Sequence, residues 1–154
     1  MNVLDRLLPR TSPDLGLLAL RVMLAAVFLF HGSQKLFGWF GGYGLSATID
    51  WMGSIGIPAP AVSGTLAALT EFGGGLALLT GVLFRPMMLP LAFTMSVAAF
   101  VGHGGKGFDV QQGGMEYPLT LMVAAASLFL TGPGRFALGA TPAPTRRAQE
   151  AHAS

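Results

Sequence analysis

The sequence contains no cysteine. That absence excludes disulfides, thiol relays, cysteine-ligated zinc, iron–sulfur clusters and covalently attached haem c. Charge is scarce too. Asp, Glu, Lys and Arg make up 10% of the 154 residues, against roughly 25% in an ordinary soluble domain. So few charges cannot cover the surface of a water-soluble fold, and the apolar content argues equally against disorder. Nine Lys and Arg against seven Asp and Glu leave a net charge of only +2, and no basic run exceeds Arg146-Arg147. Nucleic acid is therefore not an expected partner. What is abundant is apolar: 52% of residues are hydrophobic and the mean hydropathy is +0.60. This is the composition of a membrane protein, whose first partner is the lipid bilayer.

Four apolar stretches stand out, at about 15–37, 62–84, 86–102 and 117–132. A bilayer core takes about 20 apolar residues, with a lower limit near 17. The first two stretches meet this comfortably. The last two are short, and the fourth falls at or just below the limit, which less tilt or local thinning accommodates. Backbone groups in hydrocarbon must pair within their own segment, and no strand-like alternation is visible, so each stretch reads as a helix. The expected fold is all-α: a four-transmembrane-helix bundle over residues 1–139, followed by a disordered tail at 140–154. Pro86 and Pro118 suit helix starts, and Pro90 is placed to bend the third helix. Arg85 alone separates the second and third stretches, which predicts a tight antiparallel hairpin. Arg6 and Arg10 precede an apolar run too long for a signal peptide and without a cleavage site, so it reads as a retained first span.

Arg6, Arg10, Arg85, Arg135, Arg146 and Arg147 fall on one side of such a bundle. Lys106, with Lys35 at the boundary, falls on the other. The Arg-rich side is expected to be cytoplasmic, with both termini inside. Two loops, 38–61 and 103–116, then face outward. In the first, Leu45, Ile49, Met52 and Ile55 recur at helical spacing, which predicts a short interfacial helix over 45–55. The glycines at 38, 41, 42 and 44, mixed with Trp39, Phe40 and Tyr43, predict a flexible link anchored at headgroup level.

Charged and protonatable residues inside such spans are the informative ones, because each is costly in hydrocarbon. Arg21 and Lys35 are 14 residues apart, which leaves them only about 40° apart around the first helix. His31 neighbours Lys35 one turn earlier. Both basic residues have the option of snorkelling to opposite surfaces. Glu71, near the middle of the second span, does not; its side chain is too short. It is expected to pair with Lys35 or Arg21, as a structural ion pair or as part of a site. Gly73, Ala77 and Gly81 form one small-residue face for helix packing, and Gly64 with Ala68 another. His103 ends the third span and Glu116 begins the fourth, where helix-dipole effects alone favour them. Together Arg21, His31, Lys35, Glu71, His103 and Glu116 are the candidate polar pocket. No metal site is expected.

These residues carry a resemblance. Arg21, then His31-Gly-Ser-Gln-Lys35-Leu with Gly38-Trp-Phe-Gly-Gly, then Glu71-Phe-Gly-Gly-Gly, His103, and Gly113-Gly114-Met-Glu116-Tyr117-Pro118 resemble the DoxX family of membrane proteins from about Leu17 to Leu138. Met115 stands where the family often has an aromatic residue. The resemblance implies a compact four-helix protein of the bacterial inner membrane, multi-pass. Some relatives resemble the quinone-reducing subunit of a thiosulfate:quinone oxidoreductase, and others are associated with complexes that handle thiol or oxidative stress. One functional reading is therefore a quinone-linked oxidoreductase subunit: His31, Glu71, His103 and Glu116 supply protons, and Lys35 or Arg21 stabilises the developing quinol anion. With no cysteine and no nucleotide fingerprint, its electrons come from a soluble or membrane redox partner or directly from a substrate. The alternative is a non-catalytic membrane component that binds a small molecule or scaffolds a complex, working as a homo-oligomer or with a partner. A third reading, haem b held by His31 and His103, requires two axial ligands from different helices.

Overall fold

The computed structural model describes residues 13–138, and within them every regular element is helical. Five α-helices follow one another: α1 (Pro13–Phe37), α2 (Gly44–Ser54), α3 (Pro60–Thr80), α4 (Phe84–Val97) and α5 (Glu116–Thr131). α4 runs on into a π-helical turn, Ala98–Gly102. Short 3-10 turns at Trp39–Gly41, Gly104–Lys106 and Val110–Gln112 shape the two longer connections. The tail from Ala140 and the arginines at 6, 10, 146 and 147 lie outside the described residues.

Three helices are long and apolar enough to cross a membrane: α1, α3, and α4 with its π turn. α5 is apolar but has only 16 residues, about 24 Å at 1.5 Å per residue against roughly 30 Å of hydrocarbon. Of the four expected spans, three are thus clear by length and composition. α1 packs along α3, α4 along α5, and α3 against α4, while α2 lies across α3 and the end of α1. One apolar core joins them. Leu24, Ala25 and Phe28 meet Leu78, Met88 and Leu91, and Ala125 and Leu128 close it from α5.

The hairpin between α3 and α4 differs from its expectation. The break falls at Gly81–Leu83, and Arg85 and Pro86 sit inside the first turn of α4. Gly81 adopts φ 82° and donates its N–H to the Ala77 carbonyl at 2.7 Å, the left-handed glycine cap that ends many helices. Hydropathy alone registers the arginine and misses a turn made of apolar residues.

The close approaches between helices also fall on other glycines than Gly73 and Gly81. A Cβ on Gly32 would lie 2.5 Å from the Phe72 backbone nitrogen, and one on Gly75 would lie 2.9 Å from the Leu29 nitrogen. These two glycines set the crossing of α1 and α3. Gly74 is pressed against Leu91 of α4, and Gly64 against Ile49 of α2. Gly73 faces only the Met87 methyl, at an ordinary 3.4 Å, and Gly81 lies beyond the helix against Ala137. Gly75→Leu should therefore collapse thermal stability in detergent, because backbone cannot yield to the added volume. Gly73→Ala should leave the melting temperature unchanged or raise it, since Ala gains about 0.8–1 kcal/mol of helix propensity over Gly. Equal losses in both variants would contradict this crossing.

Candidate functional site

On α3, Gly64, Ala68, Glu71, Gly75 and Leu78 are all buried and follow one another at helical spacing, so they form one inward stripe. Glu71 is the polar member. Because Gly32 and Gly75 admit the opposing backbone, α1 passes close beside it, and Lys35 lies one turn beyond Gly32. The Lys35 Nζ donates to Glu71 Oε2 at 2.5 Å. The carboxylate is sealed, with 4% of its side chain exposed, whereas Lys35 retains 29%. Of the two basic partners open to Glu71, the structure supplies Lys35, which turns inward instead of snorkelling.

The exposed side of Lys35 opens on a cleft of about 370 Å³, lined also by Gln34, Tyr43, Thr48 and Trp51. Small-molecule sites range over roughly 300–1,000 Å³. The loop after α1 forms one wall. It turns back so tightly that a Cβ on Gly42 would lie 2.5 Å from the Gln34 Cα; the expected flexible link is a turn packed down on α1. The other wall is α2, whose Trp51 also reaches to the π turn, where a Cβ on Gly102 would meet the indole at 3.4 Å. Gln34 gives its amide to the Phe40 carbonyl at 3.3 Å, and Thr48 gives its hydroxyl to the Gly44 carbonyl at 2.9 Å. Lys35 also keeps donor capacity to spare. An ammonium has three N–H bonds, and one goes to Glu71.

His31, half-buried on α1, places Nε2 3.4 Å from the Tyr117 hydroxyl at the start of α5. Lys35 and Glu71 are near enough to act electrostatically on the His31 ring, and Glu71 also acts on Tyr117. Tyr117 thus joins the Lys35–Glu71–His31 group, although the sequence reading did not single it out. Its place in the block that opens α5 was the available signal.

The remaining candidates engage elsewhere. His103 Nδ1 lies 2.6 Å from the Gly113 carbonyl, and Glu116 Oε2 accepts from the Val110 N–H at 3.1 Å. Both hold the 103–116 loop in shape, and neither bonds to Lys35, Glu71 or His31. Arg21 is fully buried, about 21 Å along α1 from Lys35. It donates to the Leu78 carbonyl at 2.9 Å, to Pro133 at 2.7 Å and to Leu79 at 3.4 Å. It thereby satisfies the free C-terminal carbonyls of α3. Among the described residues no cluster of His, Asp and Glu is arranged to hold a metal ion.

The DoxX sequence profile matches residues 16–104, from α1 through the π turn. The chain belongs to the DoxX family. The matched region contains Arg21, His31, Lys35, Glu71 and His103 and stops before Glu116. Two relatives are inner membrane proteins of Escherichia coli (strain K12). YqjF is 31% identical over 81% of this chain and 90% of its own length, and YphA is 27% identical over 79% and 86%. A third, from Bacillus subtilis (strain 168), bears the name "Putative oxidoreductase CatD" and is 31% identical over 82% of this chain and 87% of its own. No solved structure matches. This DoxX chain is accordingly a membrane protein.

Lys35→Met should destabilise the protein by about 3 kcal/mol, because it strands a sealed carboxylate. Glu71→Gln should cost less, since the freed ammonium still reaches the cleft. Lys35→Met with Glu71→Leu should return to within about 1 kcal/mol of wild type, the behaviour of a buried pair replaced by apolar groups. A double-mutant cycle on thermal unfolding in detergent checks this; additive losses would contradict a coupled pair.

Proposed function

We propose that this DoxX protein is the membrane subunit of a quinone-linked oxidoreductase, and that the cleft beside Lys35 receives the quinone ring. The observation that carries the reading is Lys35, partly exposed, paired with sealed Glu71 and lining a cleft together with Trp51 and Tyr43. The oxidoreductase in the CatD name supports it. The residues fit such a ligand. Lys35 offers spare N–H bonds to a ring carbonyl, two aromatic side chains are among the lining, and the volume suits a small molecule. When bound, the quinone supplies a two-electron, two-proton acceptor.

This chain's own part is positioning and protons. Glu71 fixes the ammonium at the wall of the cleft. His31 and Tyr117, which feel the charge of Glu71, are the protonatable groups beside that pair. Electrons enter from a redox partner or from a substrate, as the absence of cysteine and of a nucleotide fingerprint requires.

The same reading makes the protein a four-span inner-membrane bundle. α5 is its short fourth span, α2 lies in the outer interface, and both termini are cytoplasmic. Reporter fusions at Ser154 and near Gly105 should report opposite faces; a shared face would contradict this topology.

The sequence has two tryptophans, Trp39 and Trp51. In a Trp39→Phe background, Trp51 alone reports on the cleft. Titration with decylubiquinone in detergent should quench it saturably, and Lys35→Met should weaken binding at least about tenfold, the loss of a charged hydrogen bond. Linear quenching, equal in both proteins, would contradict the proposed site. Saturable binding without turnover under any added donor would favour the non-catalytic component.

A further inference from the structure

We infer that Glu71 is a specificity determinant: by neutralising Lys35 from behind, it makes the cleft select neutral carbonyl ligands and reject anions. The inference rests on the reading that the cleft receives a ring ligand, and it adds the charge class of that ligand.

An unpaired lysine in a cleft of this size would attract carboxylates, sulfonates and phosphates before anything else. Here the ammonium is already matched by one carboxylate at 2.5 Å. Among the described residues lining the cleft, Lys35 is the only charged one. One Gln34 amide N–H and the Thr48 hydroxyl proton are given to backbone carbonyls, and neither group carries charge. An anion entering the cleft finds no second cation. It must share Lys35 with Glu71, and because the Glu71 side chain is only 4% exposed, water screens the repulsion between two anions on one ammonium less than it would in bulk. A neutral carbonyl oxygen escapes that conflict. It accepts one of the spare ammonium N–H bonds, and the pair behind it stays intact. Rejection by unfavourable charge is a common source of selectivity.

The test compares two probes with one ring system, 2-(hydroxymethyl)anthraquinone and anthraquinone-2-sulfonate. Binding is read by Trp51 quenching in the Trp39→Phe protein. The neutral probe should bind at least about tenfold more tightly to otherwise wild-type protein, a modest demand on charge discrimination. Glu71→Gln should abolish or reverse that preference by freeing the ammonium for the sulfonate. Thr48→Lys, which leaves the ion pair in place and adds a second cation to the lining, should also admit the sulfonate; it serves if Glu71→Gln does not fold. Equal or tighter sulfonate binding to the wild-type pair would overturn the inference and leave the quinone site standing. Binding of neither probe to that protein would overturn both.

Discussion

One ion pair organises the end of the bundle where α1 finishes. Glu71 sits on the inward stripe of α3, where an unmatched carboxylate would be costly, and Lys35 reaches it from the last turn of α1. That meeting requires the two backbones to come closer than side chains normally permit. Gly32 and Gly75 provide the room on either side, against Phe72 and Leu29. The glycines, the lysine and the glutamate therefore form one constraint. The crossing exists so that the pair can close, and the closed pair holds the crossing. Its asymmetry is what gives it chemical interest. The acid is sealed, whereas the base is partly open and lines a cleft.

The opposite end meets the same physical problem differently. Arg21 is buried without a carboxylate. Its guanidinium is planar and rich in donors, which lets it satisfy two C-terminal carbonyls of α3 and the Pro133 carbonyl together. The negative end of the α3 dipole supplies the rest of the compensation. The chain after α5 completes that seal: the Leu138 N–H donates to the Thr80 carbonyl at 2.8 Å, and the Arg135 N–H to Asp14 Oδ1 at 3.1 Å. Two basic residues on one stripe of α1 thus do different work, Arg21 closing the C-terminal end of α3 and Lys35 lining the cleft at the other end.

Much of this was legible in the residues. Long apolar runs fixed where helices form, and periodicity in 45–55 anticipated α2 (Gly44–Ser54). The shortness of the Glu71 side chain at mid-helix required a basic partner from the first helix. What was illegible depends on which surfaces meet. The regular spacing of Gly73, Ala77 and Gly81 invites a packing face, whereas Gly32 and Gly75 lie on different helices and reveal their close approaches only once α1 is placed against α3. Arg21 looked like a partner for Glu71 because helical angle says nothing of the carbonyls that another helix end will bring. His103 and Glu116 looked convergent because each stands at the outer end of a span; short-range bonding to their own loop took precedence. Tyr117 gained its role only when α5 placed its hydroxyl beside His31.

The central claim is that the opening beside Lys35 is where this protein meets its ligand. Photolabelling with an azidoquinone, followed by mass spectrometry of the purified protein, tests it most directly. The account predicts label on Tyr43, Trp51 or their immediate neighbours, protected by excess unmodified quinone. Label confined to the outward faces of α4 and α5, unaffected by competitor, would contradict it.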